Sequence, residues 1–569
     1  MPKNFKCWPD GWPKSIQYPE IPVHRLLELT VERVPNRIAM IFGGMELMYW
    51  EFKDLTDRFA NALHSLGVKK GERVAIHLPN CPQFAIAYYA VLMNGAVFTP
   101  LSPLLSPREV EHQLNDSGAE TLISLDLLYP GIAEVVKKTK VARVITTAIA
   151  DCYSAVIQPL KPLAKIPAPG TLDFPRLLAD YPPKPPKVTI DPKKDLAHLA
   201  YTGGTTGVSK GVMLTHYNVV TNALQFGLWF TGADLRLEGD GYDLVYPPGV
   251  DPTKDRLLVR DKETLLVVVP WFHAMGTIGY LNNPVASGTT MVVFPRFDPQ
   301  EYLMAIGKYR ATSLGGAPQL YVPLAEQPGF DEADLSGVKL AASGAAPLPR
   351  PVLDRMLAAF SGVVCEAFGC TECTMGATAN PPDRDKIRAG SVGLPVFDTE
   401  VRVVDVVTGQ ALPPGQEGEL CIRGPQVMQG YWNRPDATAE VLQDGWLVTG
   451  DIGREDEDGY FYITDRKKDL ILYKGYNVYP REIEDVLYAH PAVEVAAVVG
   501  KPDARAGEIP VAFVQLKAGK TATDTEIMEF ANSQLAAYKK VRQVVFSDQI
   551  PVSAAGKVLK RELREELEP

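Results

Sequence analysis

The stretch Tyr201-Thr-Gly-Gly-Thr-Thr-Gly-Val-Ser-Lys-Gly211 decides how the rest of the chain is interpreted. Its residues include four glycines, three threonines, one serine and one lysine. Glycine lets backbone N–H groups approach an anion closely, while the hydroxyls and the lysine add donors and positive charge. The order differs from G-x-x-x-x-G-K-[ST], the common nucleotide phosphate loop. The stretch therefore predicts a polyphosphate-binding loop of another kind, with a flexible linker as the alternative.

Strands and helices alternate around this loop. An apolar strand leads into it, and Val212-Met-Leu-Thr-His216 follows it. The pattern predicts helical spacing over 23–42, helices over 51–66, 83–95 and 107–118, and strands over 73–78, 96–100, 121–124 and 265–270. Such alternation is typical of βαβ units in a sheet covered by helices, with ligands at the strand ends. The predicted fold class is α/β, with a large N-terminal domain of mixed or parallel sheets flanked by helices.

The pattern changes near residue 465. The charge cluster Asp465-Arg-Lys-Lys-Asp469 separates two apolar strands. After it we predict a helix at 480–490, strands at 493–500 and 509–516, and a helix at 524–537. These elements predict a small α+β domain joined by a hinge, so that the domains are 1–465 and 466–569. Residues 158–195 are interpreted as a surface connection, and residues 232–262 as a polar insertion whose role the sequence does not reveal.

Composition restricts the classes of function. The net charge of −10 and the pI of about 5.5 argue against a general nucleic-acid-binding surface. Seven cysteines in 569 residues argue against a disulfide framework and favour a reducing compartment. No apolar run reaches the roughly 20 residues that span a bilayer, and the N-terminus lacks the apolar core of a secretion signal. We predict a cytoplasmic protein without a transmembrane segment; loose membrane association and a homodimer stay open.

Four more motifs follow the loop along the chain. They are Glu366-Ala-Phe-Gly-Cys-Thr-Glu372, Gly445-Trp-Leu-Val-Thr-Gly-Asp-Ile-Gly453, Tyr460-Phe-Tyr-Ile-Thr-Asp-Arg-Lys-Lys-Asp469 and Pro551-Val-Ser-Ala-Ala-Gly-Lys557. With the loop, they resemble the ordered signatures of the adenylate-forming superfamily: acyl-CoA synthetases, adenylation domains of peptide synthetases, and luciferases. The resemblance runs from about residue 24 to about 565. Pro270-Trp-Phe-His-Ala-Met-Gly276 and the segment 418–432 resemble the fatty-acyl and aryl CoA ligases in particular.

The resemblance implies a reaction in two steps. A carboxylate attacks the α-phosphate of Mg·ATP to give an acyl-adenylate and pyrophosphate, and the thiol of CoA then displaces AMP. The implied cofactors are ATP, Mg²⁺ and CoA, and the implied partner is a fatty, alicyclic or aromatic carboxylic acid. Because the carboxylate meets an already anionic triphosphate, cations and hydrogen-bond donors must offset the repulsion. The reaction is chemically reversible, and the sequence does not reveal its direction.

The resemblance also assigns residues to ATP. Phosphate contacts fall on Thr202, Gly203, Gly204, Thr205, Thr206, Gly207 and Lys210, with Thr202 also in the catalytic set. Adenine contacts fall on Gly344, Ala345, Ala346, Pro347, Phe368 and Gly369. Thr371 is assigned to the α-phosphate, Asp451 and Arg466 to the ribose, and Glu372 to Mg²⁺, a cation that prefers oxygen ligands. Phe368 keeps the stacking face of the tyrosine that is commoner in the family.

The remaining assignments concern the acid and CoA. Lys557 is implied to bridge the carboxylate and the α-phosphate, with a flexible tail lysine as the alternative. Lys468 is implied as the hinge residue, and Lys474 and Gly475 as neighbours of the pantetheine arm of CoA. His273 is assigned to the catalytic set as a gate between the ATP and acyl pockets, with a packed core histidine as the alternative. Candidate acyl-pocket walls, with core packing as the alternative, are Trp271, Phe272, Met275, Gly315, Gly316 and Gly344.

Three other functions stay open: loading of a carrier-protein phosphopantetheine, a non-catalytic paralogue, and a luciferase-type oxidation. The chain ends about a dozen residues after Lys557 without a fused carrier domain, which favours CoA. Retention of Glu372, Asp451, Arg466 and Lys557 favours an enzyme.

The spacing Cys370-Thr-Glu-Cys373 by itself indicates redox or metal chemistry. A zinc site would need further ligands, and the sequence holds no second C-x-x-C pair. Because Thr371 and Glu372 already belong to the nucleotide motif, we assign all four residues to that motif.

Overall fold

The computed structural model describes residues 5–152, 165–202, 209–346, 348–474, 476–503, 505–552 and 558–567. Several predicted site residues lie outside the described residues: Gly203, Gly204, Thr205, Thr206, Gly207, Pro347, Gly475 and Lys557. The chain forms two compact units. The first holds the residues up to Thr202, Ser209–Glu400 and Ile422–Leu447, and the second holds Val401–Cys421 and the chain from Val448 onward.

The strands of the first unit fall into two large sheets and one hairpin, except for β22, which pairs with Trp446 and Leu447. They are β1 Ile38–Phe42, β2 Met45–Met48, β3 Arg73–His77, β4 Val97–Pro100, β5 Thr121–Leu125, β6 Arg143–Thr147, β7 Leu172–Asp173, β8 Leu196–Tyr201, β9 Gly211–Thr215, β10 Asp234–Glu238, β11 Gly241–Val245, β12 Thr264–Val267, β13 Thr290–Val293, β14 Ser313–Gly316, β15 Leu340–Ser343, β16 Val363–Phe368, β17 Thr378–Ala379, β18 Leu394–Pro395, β21 Gly430–Tyr431 and β22 Leu442–Gln443.

The helices of the first unit cover these sheets. They are α1 Arg25–Arg33, α2 Tyr49–Ser65, α3 Pro82–Met93, α4 Pro107–Ser117, α5 Tyr129–Val136, α6 Phe174–Asp180, α7 His216–Thr231, α8 Pro252–Asp255, α9 Ala274–Thr277, α10 Asn283–Ala286, α11 Pro299–Lys308, α12 Pro318–Ala325, α13 Arg350–Ala359 and α14 Pro435–Val441. Every residue of α3 is buried, and α7 is buried along nearly its whole length. A helix that is apolar on all sides needs such a position, because it has no face to give to water.

Both large sheets are parallel in the middle and antiparallel at an edge. One has the order β18-β17-β16-β15-β14-β12-β13-β1-β2, and the other β21-β9-β8-β4-β3-β5-β6-β7. In the second sheet, β8 pairs with β4 in parallel but with β9 antiparallel. The predicted phosphate loop therefore connects two neighbouring antiparallel strands, whereas a common phosphate loop leads from a strand into a helix.

The second unit holds the other strands, wholly or mostly, and three helices. They are β19 Glu400–Val404, β20 Gly418–Arg423, β23 Trp446–Glu455, β24 Phe461–Arg466, β25 Ile471–Tyr473, β26 Tyr476–Val478, β27 Val493–Asp503, β28 Gly507–Leu516 and β29 Gln543–Phe546, with α15 Pro480–Tyr488, α16 Asp524–Gln534 and α17 Lys560–Glu565. The C-terminal sheet has the order β26-β25-β28-β27, with β29 parallel to β28. The predicted α/β class with a small α+β C-terminal part is confirmed.

The structure corrects one sequence prediction, adds detail to a second and leaves a third untested. The helical spacing over 23–42 is wrong beyond α1, because 38–42 form β1, which lies between β13 and β2. Nearly every residue of β1 is buried, so the strand shows no alternation of apolar and polar side chains, and periodicity does not distinguish it from a buried helix. The polar insertion 232–262 contains the β10–β11 hairpin and α8. The predicted boundary between residues 465 and 466 falls inside β24 and stays a prediction.

Candidate active site

The ends of the predicted phosphate loop are fixed by backbone pairing. Tyr201 pairs with Gly211 where β8 and β9 meet the loop. The Thr202 N–H donates to the Lys210 carbonyl at 3.1 Å. Thr202 and Lys210, both predicted phosphate contacts, thus stand opposite each other at the mouth of the loop.

Helix α4 supports the same loop through side chains. The Tyr201 hydroxyl donates to Asp116 Oδ2 at 2.8 Å, and Arg434 Nη2 donates to Oδ1 at 2.9 Å. The Asp116 side chain is only 10% exposed, so this arrangement is shielded from solvent screening. On the outgoing side, Gln113 Nε2 donates to Ser209 Oγ at 3.4 Å. Both ends of the loop are therefore anchored to one helix.

Tyr431 connects the phosphate loop to the predicted magnesium ligand. Its hydroxyl donates to Glu372 Oε1 at 2.7 Å, and Lys210 Nζ lies 4.9 Å from the centroid of its ring. Burial, and then the Glu372 carboxylate, raise the pKa of Tyr431 well above its ordinary value, so the phenol stays a hydrogen-bond donor. One tyrosine thus contacts the cation of the loop with its ring and the anion of Glu372 with its hydroxyl.

The backbone holds Tyr431 in this position. Strand β21 pairs antiparallel with β9, and the Trp432 N–H donates to the Gly211 carbonyl at 2.7 Å. The Met428 N–H donates to the Glu372 carbonyl at 2.9 Å. The segment 428–432 is therefore bonded both to the strand that leaves the phosphate loop and to the turn that carries Glu372.

Glu372 fits a magnesium ion by its chemistry. It is half-buried in the 3-10 turn Thr371–Cys373, which directly follows the segment after β16. Tyr431 engages one carboxylate oxygen, and the second is a hard donor of the kind Mg²⁺ prefers. Among the described residues, no group of three or more His, Cys, Asp or Glu side chains forms a complete protein cage. Mg²⁺ commonly takes one or two carboxylates and completes its shell with water and substrate phosphates.

The predicted adenine segments follow neighbouring parallel strands. Gly344, Ala345 and Ala346 come directly after β15, and the Gly344 N–H donates to the Gly316 carbonyl at 3.0 Å at the end of β14. Ala345 has φ of 68°, a left-handed conformation that is uncommon outside glycine. Phe368 is the half-buried last residue of β16. The carboxyl ends of adjacent parallel strands meet at one edge, where α/β sheets bind ligands.

Two further features shape these segments. A Cβ on Gly369 would run into the Met375 carbonyl, so the chain before Thr371 needs glycine. The buried Glu366 carboxylate accepts from the Leu348 N–H and the Gly390 N–H, both at 3.1 Å, and so fixes the end of the segment after β15.

The acyl-pocket candidates are largely packed into the core. Trp271 is fully buried, donates from Nε1 to the Tyr280 carbonyl at 2.9 Å and packs its ring against Phe84. A Cβ on Gly315 would meet the ring of Tyr280, so this ring occupies the space beside Gly315. His273 is half-buried and caps α9 by accepting from the Met275 N–H at 3.3 Å. Its gate role stays a prediction beside this capping contact.

In the second unit, the predicted ribose contacts are joined. Asp451 and Arg466 face each other in the register of β23 and β24, and Arg466 Nε lies 3.0 Å from Asp451 Oδ1. The Asp451 side chain is 5% exposed and Arg466 is 38% exposed. A carboxylate that is held by an arginine at one oxygen keeps acceptor capacity for a hydroxyl.

The predicted hinge residue Lys468 and the predicted CoA contact Lys474 are at the surface. Lys468 is exposed in the 3-10 turn Lys467–Asp469, where Arg564 Nη2 donates to Asp469 Oδ1 at 2.8 Å. Lys474 is exposed with φ of 50°, and its N–H donates to the Ala506 carbonyl at 2.7 Å. Their roles in pivoting and in CoA binding stay predictions.

The segment that carries Lys557 is closed at its ends. Val552 and Val558 form an antiparallel bridge, and the Leu559 N–H donates to the Pro551 carbonyl at 2.9 Å. The neighbouring Lys560 is buried, with Nζ 2.7 Å from Glu484 Oε1. Burial acts to lower the pKa of Lys560, but Glu484 and Asp465 outweigh it and hold the pKa above its ordinary value. Lys560 is thus a structural lysine beside the predicted catalytic one.

We expect Lys560→Ala to lower the free energy of unfolding by about 3 kcal/mol, because the largely buried Glu484 carboxylate keeps its bond from the Val498 N–H but loses its charged partner. Arg561→Ala is the matched control, since Arg561 is half-exposed and pairs only with the exposed Glu565 in the structure described. Urea unfolding followed by circular dichroism measures both. Equal, small losses in the two variants would contradict the structural role of Lys560.

Sequence reasoning missed Tyr431, Asp116 and Arg434. The segment 418–432 was recognised only as a marker of the CoA-ligase branch, and no role was assigned to its tyrosine. The position of Tyr431 near the end of the segment 418–432 could have marked it as a site residue. Its partner Glu372, however, lies 59 residues away in sequence, so the contact itself is not visible in either motif.

Comparison with known proteins tests this assignment. A model of the AMP-binding enzyme family matches residues 27–432, and a model of the AMP-binding enzyme C-terminal domain matches residues 482–557. The chain belongs to the AMP-binding enzyme family. A long-chain-fatty-acid–CoA ligase from Bacillus subtilis (strain 168) is 37% identical to this AMP-binding enzyme, over 98% of this chain and 97% of that protein. A feruloyl-CoA synthase from Amycolatopsis sp is 36% identical, over 93% and 96%.

Solved structures agree with the family. ATP-bound MatB from Rhodopseudomonas palustris superimposes with a TM-score of 0.81 at 29% identity, over 96% of this chain and 99% of that one. The o-succinylbenzoate CoA synthetase MenE from Bacillus subtilis, in complex with ATP and magnesium ion, gives 0.76 at 27% identity, over 96% and 99%. The predictions of an AMP-forming acid–CoA ligase and of ATP, Mg²⁺ and CoA as its cofactors are confirmed for this AMP-binding enzyme.

Proposed function

We propose that this AMP-binding enzyme joins an extended, largely apolar carboxylic acid, a long-chain fatty acid first among them, to CoA through an acyl-adenylate. The observation that carries the reaction is Tyr431, which connects Lys210 of the phosphate loop with Glu372. The acid class is supported by the names of the bacterial relatives, which are long-chain-fatty-acid–CoA ligases.

The residues of the phosphate loop hold ATP for attack at the α-phosphate. Thr202 and Lys210 offer a hydroxyl and a cation at the loop mouth, and Asp116 keeps the incoming end of the loop in place through Tyr201. Glu372 holds Mg²⁺, which when bound neutralises charge on the triphosphate. Fixed donors and charges act without reorganising during the reaction, which is why their anchoring matters for rate.

The ribose and the reacting carboxylate are assigned to residues of the second unit. Asp451, oriented by Arg466, accepts hydrogen bonds from ribose hydroxyls. Lys557 supplies a positive charge that offsets the repulsion between the attacking carboxylate and the α-phosphate. Loss of pyrophosphate leaves an acyl-adenylate, whose carbonyl is electrophilic enough for the thiol of CoA.

A panel of carboxylates tests the acid class. We expect palmitate to give the largest kcat/KM for CoA thioester formation, ahead of octanoate and ferulate, with malonate and benzoate much weaker. The Lys557→Ala enzyme serves as the blank for spontaneous thioester formation. A preference for malonate or benzoate would contradict the proposed substrate, and acylation of a carrier-protein phosphopantetheine but not of CoA would establish the carrier-loading alternative.

The tyrosine contact gives a second test. Tyr431→Phe keeps the ring under Lys210 but removes the donor to Glu372, and we expect the Mg²⁺ concentration for half-maximal activity to rise by about tenfold, since a hydrogen bond to a charged group contributes about 1.5 kcal/mol. Tyr462→Phe is the control, because its hydroxyl also donates to a carboxylate, that of Asp456. An unchanged Mg²⁺ requirement in Tyr431→Phe would show that Tyr431 does not position Glu372.

We also propose a cytoplasmic location. Six described cysteines carry free thiols, as expected in a reducing compartment: Cys7, Cys81, Cys365, Cys370, Cys373 and Cys421. Among the described residues, no helix combines the length and the apolar character needed to cross a bilayer.

A further inference from the structure

Two thiols flank the magnesium-binding glutamate at close range. Cys370 Sγ and Cys373 Sγ are 3.6 Å apart and are not joined by a disulfide in the structure. Cys373 is completely buried and Cys370 is partly exposed. From sequence alone the C-x-x-C spacing is explained by the nucleotide motif; the structure adds that the two sulfur atoms are neighbours.

We propose that Cys370 and Cys373 form a reversible disulfide that switches off ATP activation by displacing Glu372. The effect on activity rests on the proposed role of Glu372, whereas formation of the bond does not. No other pair among the described cysteines has such a sulfur–sulfur contact in the structure. The fully buried Cys81, for comparison, has its pKa raised to about 12 by burial, as suits an inert core thiol.

The oxidant is hydrogen peroxide, and the reaction balances. The sulfur of Cys370, the more exposed one, attacks one peroxide oxygen; the O–O bond breaks, and Cys370 becomes a sulfenic acid while one water leaves. The sulfur of Cys373 then attacks the Cys370 sulfur, the S–O bond breaks, and a second water leaves with the Cys373 proton. The two sulfurs lose two electrons in total, which the peroxide gains. A dithiol reverses the step by thiol–disulfide exchange.

The turn between the two cysteines has little freedom to absorb this bond. A disulfide brings the sulfurs to about 2.05 Å, so they must approach by about 1.5 Å. The thiol of Cys373 donates to the Cys370 carbonyl at 3.3 Å, and a disulfide has no S–H to keep this bond. The Glu372 carboxylate and carbonyl between them are held by Tyr431 and Met428. Moving the turn therefore pulls Glu372 away from the partner that orients it.

The site is strained next to the same turn. Thr374, directly after Cys373, has φ of 68°, although it is β-branched. Its N–H donates to the Thr371 carbonyl at 2.9 Å, and its hydroxyl donates to the Gln426 carbonyl at 2.6 Å. A residue kept in this conformation by two hydrogen bonds resists a shift of its neighbour, so the strain of the disulfide falls on Thr371 and Glu372.

The experiment treats the whole enzyme with hydrogen peroxide and then with dithiothreitol. After blocking free thiols, chymotryptic cleavage after Phe368 and Met375 isolates 369–375, which contains both cysteines but not Cys365. We expect the mass of this peptide to fall by two hydrogens. Carboxylate-dependent pyrophosphate exchange should fall about tenfold, the effect expected when a metal ligand loses the hydrogen-bond partner that orients it. Exchange should return on reduction. Cys370→Ser is expected to resist the peroxide, and Cys7→Ser to respond like the natural chain.

Each other outcome overturns the proposal. Blocked rather than bonded thiols in 369–375 would show that the disulfide does not form. A disulfide without loss of exchange would show that it does not act on Glu372, and persistent inhibition in Cys370→Ser would place the sensitive group elsewhere. The peptide mass decides bond formation even if a variant fails to fold. Absence of exchange in the reduced enzyme with every carboxylate would instead overturn the proposed function.

Discussion

Lys557→Ala is expected to reduce carboxylate-dependent pyrophosphate exchange by about 10³-fold, the upper part of the range for removing one donor from a developing charge. The side chain supplies a positive charge where two anions must meet, and alanine leaves that repulsion unopposed. Thioester formation from a supplied acyl-adenylate should change far less, because the two anions no longer have to approach each other in that step.

Two neighbours of Lys557 make this test specific. Arg561→Ala removes a cation from the same tail, but Arg561 pairs at the surface with Glu565, so exchange should stay near the natural rate. Lys560→Ala should lower stability, as argued above, whereas Lys557→Ala should leave the unfolding transition unchanged. If Lys557→Ala kept full exchange activity while remaining folded, the cation that serves adenylation would have to be another residue.

Three deeply buried histidines are together expected to lower the free energy of unfolding by about 4 kcal/mol for each pH unit between pH 6 and pH 4, since each contributes about 1.4 kcal/mol per unit. Burial lowers the pKa of His77 to about 4 and of His198 to about 3, and that of His216 well below its ordinary value. All three are nearly or fully inaccessible.

Burial keeps these histidines neutral in the folded state, and each ring makes one hydrogen bond that suits the neutral form. His77 Nδ1 bonds to Ser124 Oγ at 3.0 Å, His198 Nε2 bonds to the Tyr88 hydroxyl at 2.7 Å, and His216 Nδ1 accepts from the Val23 N–H at 3.1 Å. An unfolded histidine binds a proton near pH 6.5, but the folded ones do not until the pH falls through their lowered pKa. Stability is thus fully present above pH 6.5 and is lost as the pH falls below it.

Urea unfolding at pH 7, 6 and 5 measures how the free energy of unfolding changes with pH. Histidine variants show which residue contributes to that change. His77→Asn should make the slope shallower by about 1.4 kcal/mol per pH unit, since one of the three histidines no longer contributes. The control His64→Gln should leave the slope as it is, because His64 is exposed at the end of α2. Equal slopes in the natural chain and in His77→Asn would contradict the neutral, buried state of His77.

The parts of the site that the sequence predicts well are those written as contiguous motifs. The loop 201–211 shows its chemistry in its own composition, and Glu372, Asp451 and Arg466 stand inside recognisable motifs. The structure then adds what no motif can show: Asp451 and Arg466 are paired across β23 and β24. The buried carboxylate of Asp116 could not be predicted, because its partners Tyr201 and Arg434 are 85 and 318 residues away in sequence.

Periodicity failed where burial is symmetrical. Residues 38–42 continue the apolar pattern of α1 but form β1, which pairs in parallel with β13 and antiparallel with β2. The apolar pattern alone fits a buried helix as well as a buried strand, and only these neighbouring strands distinguish the two. The acyl-pocket residues show the same difficulty. Trp271 is an aromatic residue of the kind that lines apolar pockets, but in the structure it is fully buried and donates a hydrogen bond to the Tyr280 carbonyl. Both features depend on tertiary packing, which the sequence pattern does not show.

The central claim is that ATP is held for attack at its α-phosphate by a carboxylate. Incubation of the protein with Mg·ATP, labelled pyrophosphate and palmitate, without CoA, tests it most directly. We predict that label enters ATP only when the carboxylate is present, and that addition of CoA yields AMP and an acyl-CoA thioester. Formation of ADP and orthophosphate, or no exchange with any carboxylate, would contradict the account.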